Sequence, residues 1–268
     1  MKTNLSPKEH LPRLGSNLAI ALVLALLASR AAAFSLLGPY TDWMVATNGY
    51  RQPGDIGGPM DINEEYRWNV PIVTYGFDKS FLDYFGTNGV AAVEDAIQTF
   101  NALPRASDIV LTDCPTESRR VNYPAQALGL VDLKSVTLSL LLEQLGLASP
   151  TRNIFDLRRV DSWFLQEISI CPYVECLGSY YIIERNFDPV TLATSQYVNG
   201  TLYTGSVVGY VTSTDSGLVH YVEEIRADPW APDWNAVGDG TYYYNPGVYR
   251  TGLTRDDVGG LRYLLTTC

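Results

Sequence analysis

Helical spacing in the first half of the chain gives way, after about Arg158, to roughly a hundred residues of short aromatic and β-branched runs. No all-α or all-β fold accommodates both textures, so the expected class is α+β. Val90, Val93, Ala96, Ile97 and Phe100 recur at helical intervals behind Asn88-Gly89, and Pro104 stops that helix near Leu103. A second helix is expected over residues 132–147, with Val136, Leu140, Leu141 and Leu145 along one stripe and Gly146 near its C-terminus. Residues 70–77 and 108–112 read as strands. Farther on, residues 180–183, 207–212 and 218–225 read as strands as well, and Asn199-Gly200 marks a hairpin because that dipeptide supplies the positive φ angles of a type I′ turn. The chain closes with a helix capped by Thr254 and carrying Asp256 and Asp257 in its first turn.

Ahead of this orderly region, Lys2, Lys8 and Arg13 precede an apolar run at 18–28 that ends near Ala31-Ala32-Ala33. That layout predicts an export signal over residues 1–33, cleaved before Phe34, and a mature chain that is secreted or periplasmic. An uncleaved N-terminal anchor is the other reading. Residues 34–68 are rich in Gly, Pro and Asp and are expected to form an extended arm over a single domain, residues 69–268, with a β-rich insertion at about 159–250.

The chain is acidic, with 19 basic against 29 acidic side chains and a formal charge of −10. Loss of the signal removes four basic residues (Lys2, Lys8, Arg13, Arg30) and one acid (Glu9), so the remainder is more acidic still. Nucleic acid and anionic membranes are therefore poor partners. His10 would go with the signal, leaving His220 alone, which excludes sites that need two or three imidazoles. A triad could use only His220, and no Gly-x-Ser-x-Gly elbow is present to serve it. A lone histidine between Val219 and Tyr221 reads as a strand-surface residue.

Cys114, Cys171, Cys176 and Cys268 form an even set, which in an oxidising compartment implies disulfides. Three pairings are possible. The turn-forming spacer between Cys171 and Cys176 favours a local bridge, leaving Cys114 for Cys268; on the chain-entropy model the two loops contribute about 2 and about 5 kcal/mol.

The order of a strand at 69–77, a helix containing Ala96-Ile97-Gln98-Thr99-Phe100-Asn101, a strand at 108–110, a central helix ending in Leu145-Gly146-Leu147 and a closing helix resembles a small matrixin-type metzincin protease. Leu253-Thr254-Arg255-Asp256-Asp257-Val258 carries most of the likeness. The resemblance implies a matrixin-like sheet with two long helices and a C-terminal helix, plus a β-rich aromatic insertion. It also implies where zinc would sit, and there the chain departs from the family: with Gly146 as the motif glycine, the ligand positions fall on Ser139, Glu143 and Ser149, and the general base on Leu140. Phe155 stands where the family has methionine. A serine hydroxyl is a poor zinc ligand and a leucine cannot accept a proton, so the resemblance implies a pseudoprotease. Read without ancestry, the same segment is an ordinary amphipathic helix, with Ser139 and Glu143 on its surface.

Glu184, Asp188, Glu223 and Glu224 lie on or beside expected strands and keep a carboxylate-based glycosidase, or a divergent peptidase, open as the alternative function. Asp228, Asp233 and Asp239, with carbonyls of Asn235, Gly238 and Gly240, could wrap a calcium ion, although the spacing is not that of an EF-hand and a plain polar loop is the favoured reading. Trp230, Trp234, Tyr242, Tyr243, Tyr244 and Tyr249 are either the core of the β-rich half or a surface that binds a protein or glycan. The favoured expectation is a secreted, non-catalytic binder using Trp230, Trp234 and Tyr242 to Tyr244, with an unknown extracellular partner.

Overall fold

A computed structural model describes residues 33–52, 55–166, 174–211, 218–231, 237 and 245–266, with side chains at 163–166, 174–177 and 211 left aside. It is an α+β molecule, with four α-helices and several antiparallel sheets among the described residues. The first strand, β1 (Phe34–Gly38), pairs with β2 (Gly58–Pro59), with β4 (Leu147–Ala148) and with β7 (Asn186–Phe187). The expected arm therefore begins inside the molecule. Phe34 and Leu36 have almost no exposed surface because they pack under the helices.

Helix α1 (Lys79–Asn101) starts eleven residues before the first periodic valine, Val90, and kinks at Gly86, where φ 59° and ψ −156° break the ladder. Asp78 caps it through Ser80. β3 (Arg119–Val121) pairs with β11 (Val248–Arg250), and the short α2 (Tyr123–Ala127) follows β3. Helix α3 (Leu133–Leu145) lies within the expected bounds, with Asp132 accepting from Ser135 N–H at one end and Gly146 in the left-handed region at the other. Its buried face is Leu138, Ser139 and Leu142, and Leu140 is 43% exposed. Of the expected stripe, Leu141 and Leu145 pack partly buried against the core while Leu140 faces outward, because leucines lie on several sides of this helix and the spacing alone does not select one.

Helix α4 (Arg255–Leu265) opens with a capping box: Asp257 accepts from Thr254 N–H at 2.7 Å while the Thr254 hydroxyl also donates to it. Asp256 accepts from the backbone N–H of Asn199 at 2.6 Å, tying this helix to the hairpin turn. The acids of the 253–258 phrase thus have structural work in this chain. Gly260 lets α4 lie directly on Phe34 and Leu147; a Cβ there would stand 2.5 Å from Leu147 Cδ2. Leu138, Leu142, Leu261 and Leu264 complete this core, at roughly 1.5–3 kcal/mol for each fully buried side chain.

The β-rich half is a four-stranded sheet in the order β10 (Leu218–Arg226), β9 (Thr201–Val211), β6 (Val174–Ile183), β5 (Asp156–Gln166). β8 (Tyr197–Val198) joins β9 through Asn199-Gly200, both at positive φ, as the hairpin signal predicted. Among the described residues, β6 meets β9 at Val174 and Glu175 alone. From there the two hairpins diverge, yet the sheet curls enough that β5 and β10 touch, with a 3-10 turn at Ala46–Asn48 packed on both.

Two expected strands are absent. Residues 70–77 run without joining a sheet and are mostly exposed, and 108–112 fold into two 3-10 turns, Ala106–Asp108 and Leu111–Asp113. Strand-like composition needs a neighbouring edge to become a strand. Among the described residues none supplies one. No helix among them is long and apolar enough to cross a membrane.

Candidate functional site

The 3-10 turn at Ala46–Asn48 ends at Gly49, whose φ of 77° and close approach to β10 both require glycine: a Cβ would sit 2.8 Å from Tyr221 Cβ. Asn48 Nδ2 donates to the carbonyls of Trp43 (3.3 Å) and Arg158 (3.2 Å), stapling the turn to β5. Trp43 lies between the Arg158 guanidinium, 4.9 Å from its ring, and the edge-on ring of Tyr50 at 5.2 Å. Arg152 donates to Gly49 O at 3.0 Å and pairs two-pronged with the buried carboxylate of Asp55.

These contacts seat the arm over the first residue of β5. Asp156 is 3% exposed. Its Oδ1 accepts from the Tyr50 hydroxyl at 3.3 Å, and its Oδ2 has no hydrogen-bond partner among the described residues. Burial pushes its carboxyl up to about 7, against the opposing pull of Arg152, the Tyr50 hydrogen bond and Arg185. Tyr50 is itself raised by burial and by the charges of Asp156 and Glu224, so its hydroxyl remains a fixed donor.

Above Asp156 opens a cleft of about 590 Å³, lined by Asn48, Gly49, Tyr50 and Gln52 from the arm, Arg152, Phe155, Asp156 and Leu157 around the start of β5, and Tyr210, Tyr221, Val222 and Glu224 from β9 and β10. Tyr210 and Tyr221 meet edge to face at 5.6 Å. The volume suits a small ligand, and the lining mixes aromatic faces with two carboxyl groups.

Sequence reasoning placed Glu224 beside a strand but missed Asp156, Tyr50 and Arg152, which stand more than a hundred residues apart or in segments of no regular pattern. Only the hint of acids near strands pointed this way. The degenerate zinc positions do not enter the cleft. Ser139 is buried, a correction to its expected place on the helix surface, and its Oγ finds no partner among the described residues; Leu140 faces outward, Glu143 is half-buried, and Ser149 lies past the helix end. Glu184 accepts from Gln196, Asp188 closes a turn through the N–H groups of Val190 and Thr191, and Glu223 is exposed. His220 is 4% exposed instead of on the strand surface, because the curl of the sheet covers that face, and burial lowers its pKa.

Trp230 is 91% exposed, and Tyr249 is 37% exposed on β11. Trp234, Tyr242, Tyr243 and Tyr244 lie outside the described residues, as do Asp233, Asn235, Gly238, Asp239 and Gly240 of the calcium reading. Asp228 accepts from Trp230 N–H at 2.9 Å. Among the described residues no group of three or more His, Cys, Asp or Glu side chains is placed to hold a metal ion. Cys114 is half-buried with Sγ 3.9 Å from Val110 O, while Cys171, Cys268 and the side chain of Cys176 lie outside the described residues. No family model, curated protein or solved structure matches the chain.

Proposed function

We propose that the exported chain is a non-catalytic binder of a hydroxyl-rich ligand, a segment of glycan, and that the arm–sheet cleft is its binding site. The observation that carries this is the orphan Oδ2 of Asp156 at the floor of an aromatic-walled cleft. A buried carboxyl group without a partner carries a desolvation cost, which a ligand hydroxyl relieves. Protonated, Asp156 donates to a sugar oxygen; ionised, it accepts from a hydroxyl, and Glu224 accepts from a second. The rings of Tyr210, Tyr221 and Phe155 offer faces for the C–H side of a pyranose. The exposed Trp230 extends the same chemistry to the loop after β10.

A carboxylate-based hydrolase is the second reading, favoured by one observation: Asp156, with its carboxyl raised to about 7, and Glu224 share the cleft, as an acid and its partner do in glycoside hydrolysis. Descent from a matrixin-type protease belongs to the first reading and is supported by the 253–258 phrase.

A glycan array followed by calorimetry on the purified chain tests the proposal. Binding that Tyr221→Ala and Asp156→Asn each weaken at least about tenfold supports it; an array without a hit, or binding indifferent to both variants, refutes it. Steady release of reducing ends from a bound glycan, lost in Asp156→Asn, would replace it with the hydrolase. One tightly held zinc per chain by elemental analysis would end the pseudoprotease reading.

A further inference from the structure

Nine large apolar side chains between Tyr66 and Phe85 are each more than 40% exposed, reaching 75% at Ile72 and 82% at Tyr84. With a full aromatic side chain near 200 Å², they leave on the order of 1,000 Å² of side-chain surface uncovered. Monomeric proteins rarely leave so much apolar surface uncovered along one short segment. The segment leaves the body after Arg67, which donates to Thr266 O at 2.9 Å, and Trp68, whose Nε1 donates to Gln144 O at 2.6 Å. It returns at the cap of α1, where rings run in a row from Tyr75 through Phe77 and Phe81 to Phe85 with centroids 4.8–5.8 Å apart. Between these anchors, no backbone group of residues 69–77 joins a backbone hydrogen bond among the described residues.

We infer that residues 70–76 form a strand only by pairing antiparallel with the same residues of a second copy of this chain, about a two-fold axis at Val73. Three observations choose a second copy. The uncovered area matches what one partner contributes to a standard interface, about 800 Å². An antiparallel strand pair on a two-fold axis is self-complementary, so one sequence supplies both sides. The patch is also nearly free of net charge, since Lys79 pairs with Asp83 at 2.5 Å and Asp78 caps α1, so the −10 charge of each copy opposes contact least here.

Pro71 then fixes the register. It has no N–H to give and must occupy a non-hydrogen-bonded site. Centring the pair on Val73 as a non-hydrogen-bonded pair places Pro71 opposite Tyr75 at another such site, and leaves the Ile72 to Thr74 pairs to exchange hydrogen bonds. Val73 then faces its own copy with Cα atoms about 4.5 Å apart, within reach of a disulfide.

Sedimentation velocity on the full purified chain, with peptide mapping of oxidised cysteine variants, tests this. The expected results are a dimer at tens of micromolar, at least about tenfold weaker dimerisation in Ile72→Lys with unchanged far-UV circular dichroism, and a 73–73 crosslink in Val73→Cys that Ile72→Cys does not form. A parent chain that is monomeric at every concentration overturns the inference, as does a dimer that Ile72→Lys leaves intact. Binding to anionic or neutral vesicles by a monomer would assign the patch to a membrane instead, and also overturns it.

Discussion

Two neighbouring stretches of this chain invert what their sequences promise. Residues 43–52 and 55–60, in a stretch broken by Gly and Pro, carry no long element, yet Met44, Tyr50 and Met60 are buried and the backbone is held by Asn48, Arg152 and Asp55. Residues 69–77, with a strand-like composition, lie exposed and unpaired. The irregular stretch is fixed by side chains from distant segments that satisfy its backbone one group at a time. Its regular-looking neighbour has the composition of a strand and no edge to join. Backbone order follows from available partners more than from local pattern.

The sharpest test of the contrast is Arg152→Met. It leaves the buried Asp55 carboxylate without its countercharge, accepting only from the Gln52 N–H, and because Arg152 is itself partly exposed a loss of about 2–4 kcal/mol is expected in urea unfolding. In the exposed stretch Val70→Ser should move monomer stability by less than about 0.5 kcal/mol. Comparable losses in both would show that the second stretch packs on its own domain.

Gly49→Ala comes next. Strain at φ 77° and the clash with Tyr221 predict a loss of about 1–3 kcal/mol, read from the same curves, and a weakened cleft.

The pH dependence isolates Asp156. Its carboxyl is raised in the folded chain to about 7, so between pH 4 and 7 the folded state binds more protons than the unfolded state. Stability therefore falls as pH rises through that window and levels off above it. In Asp156→Asn the fall should flatten when unfolding free energies are measured from pH 4 to 8; an unchanged slope would move the titration elsewhere.

The smallest effect belongs to Trp230→Ala. At 91% exposure the ring should cost less than about 0.5 kcal/mol on removal, with no shift in melting temperature beyond a degree or two. Unfolding would mean that the ring is core after all.

Local signals in the sequence determined those elements whose cause is itself local. Asp132 and Gly146 bound α3, Asn199-Gly200 makes the β8–β9 turn, and Thr254 with Asp257 starts α4, because a cap or a positive φ depends on residues within four positions. Tertiary structure decided the rest. It turned the Leu138–Leu142 side of a helix with leucines on several faces toward the core, and it withheld an edge from residues 70–77. It also brought Tyr50, Arg152 with Asp156, and Glu224 into one cleft from three separated segments. A burial cost, a lifted carboxyl and an orphan oxygen exist only once a fold has chosen what surrounds them, so no spacing in the chain could announce Asp156.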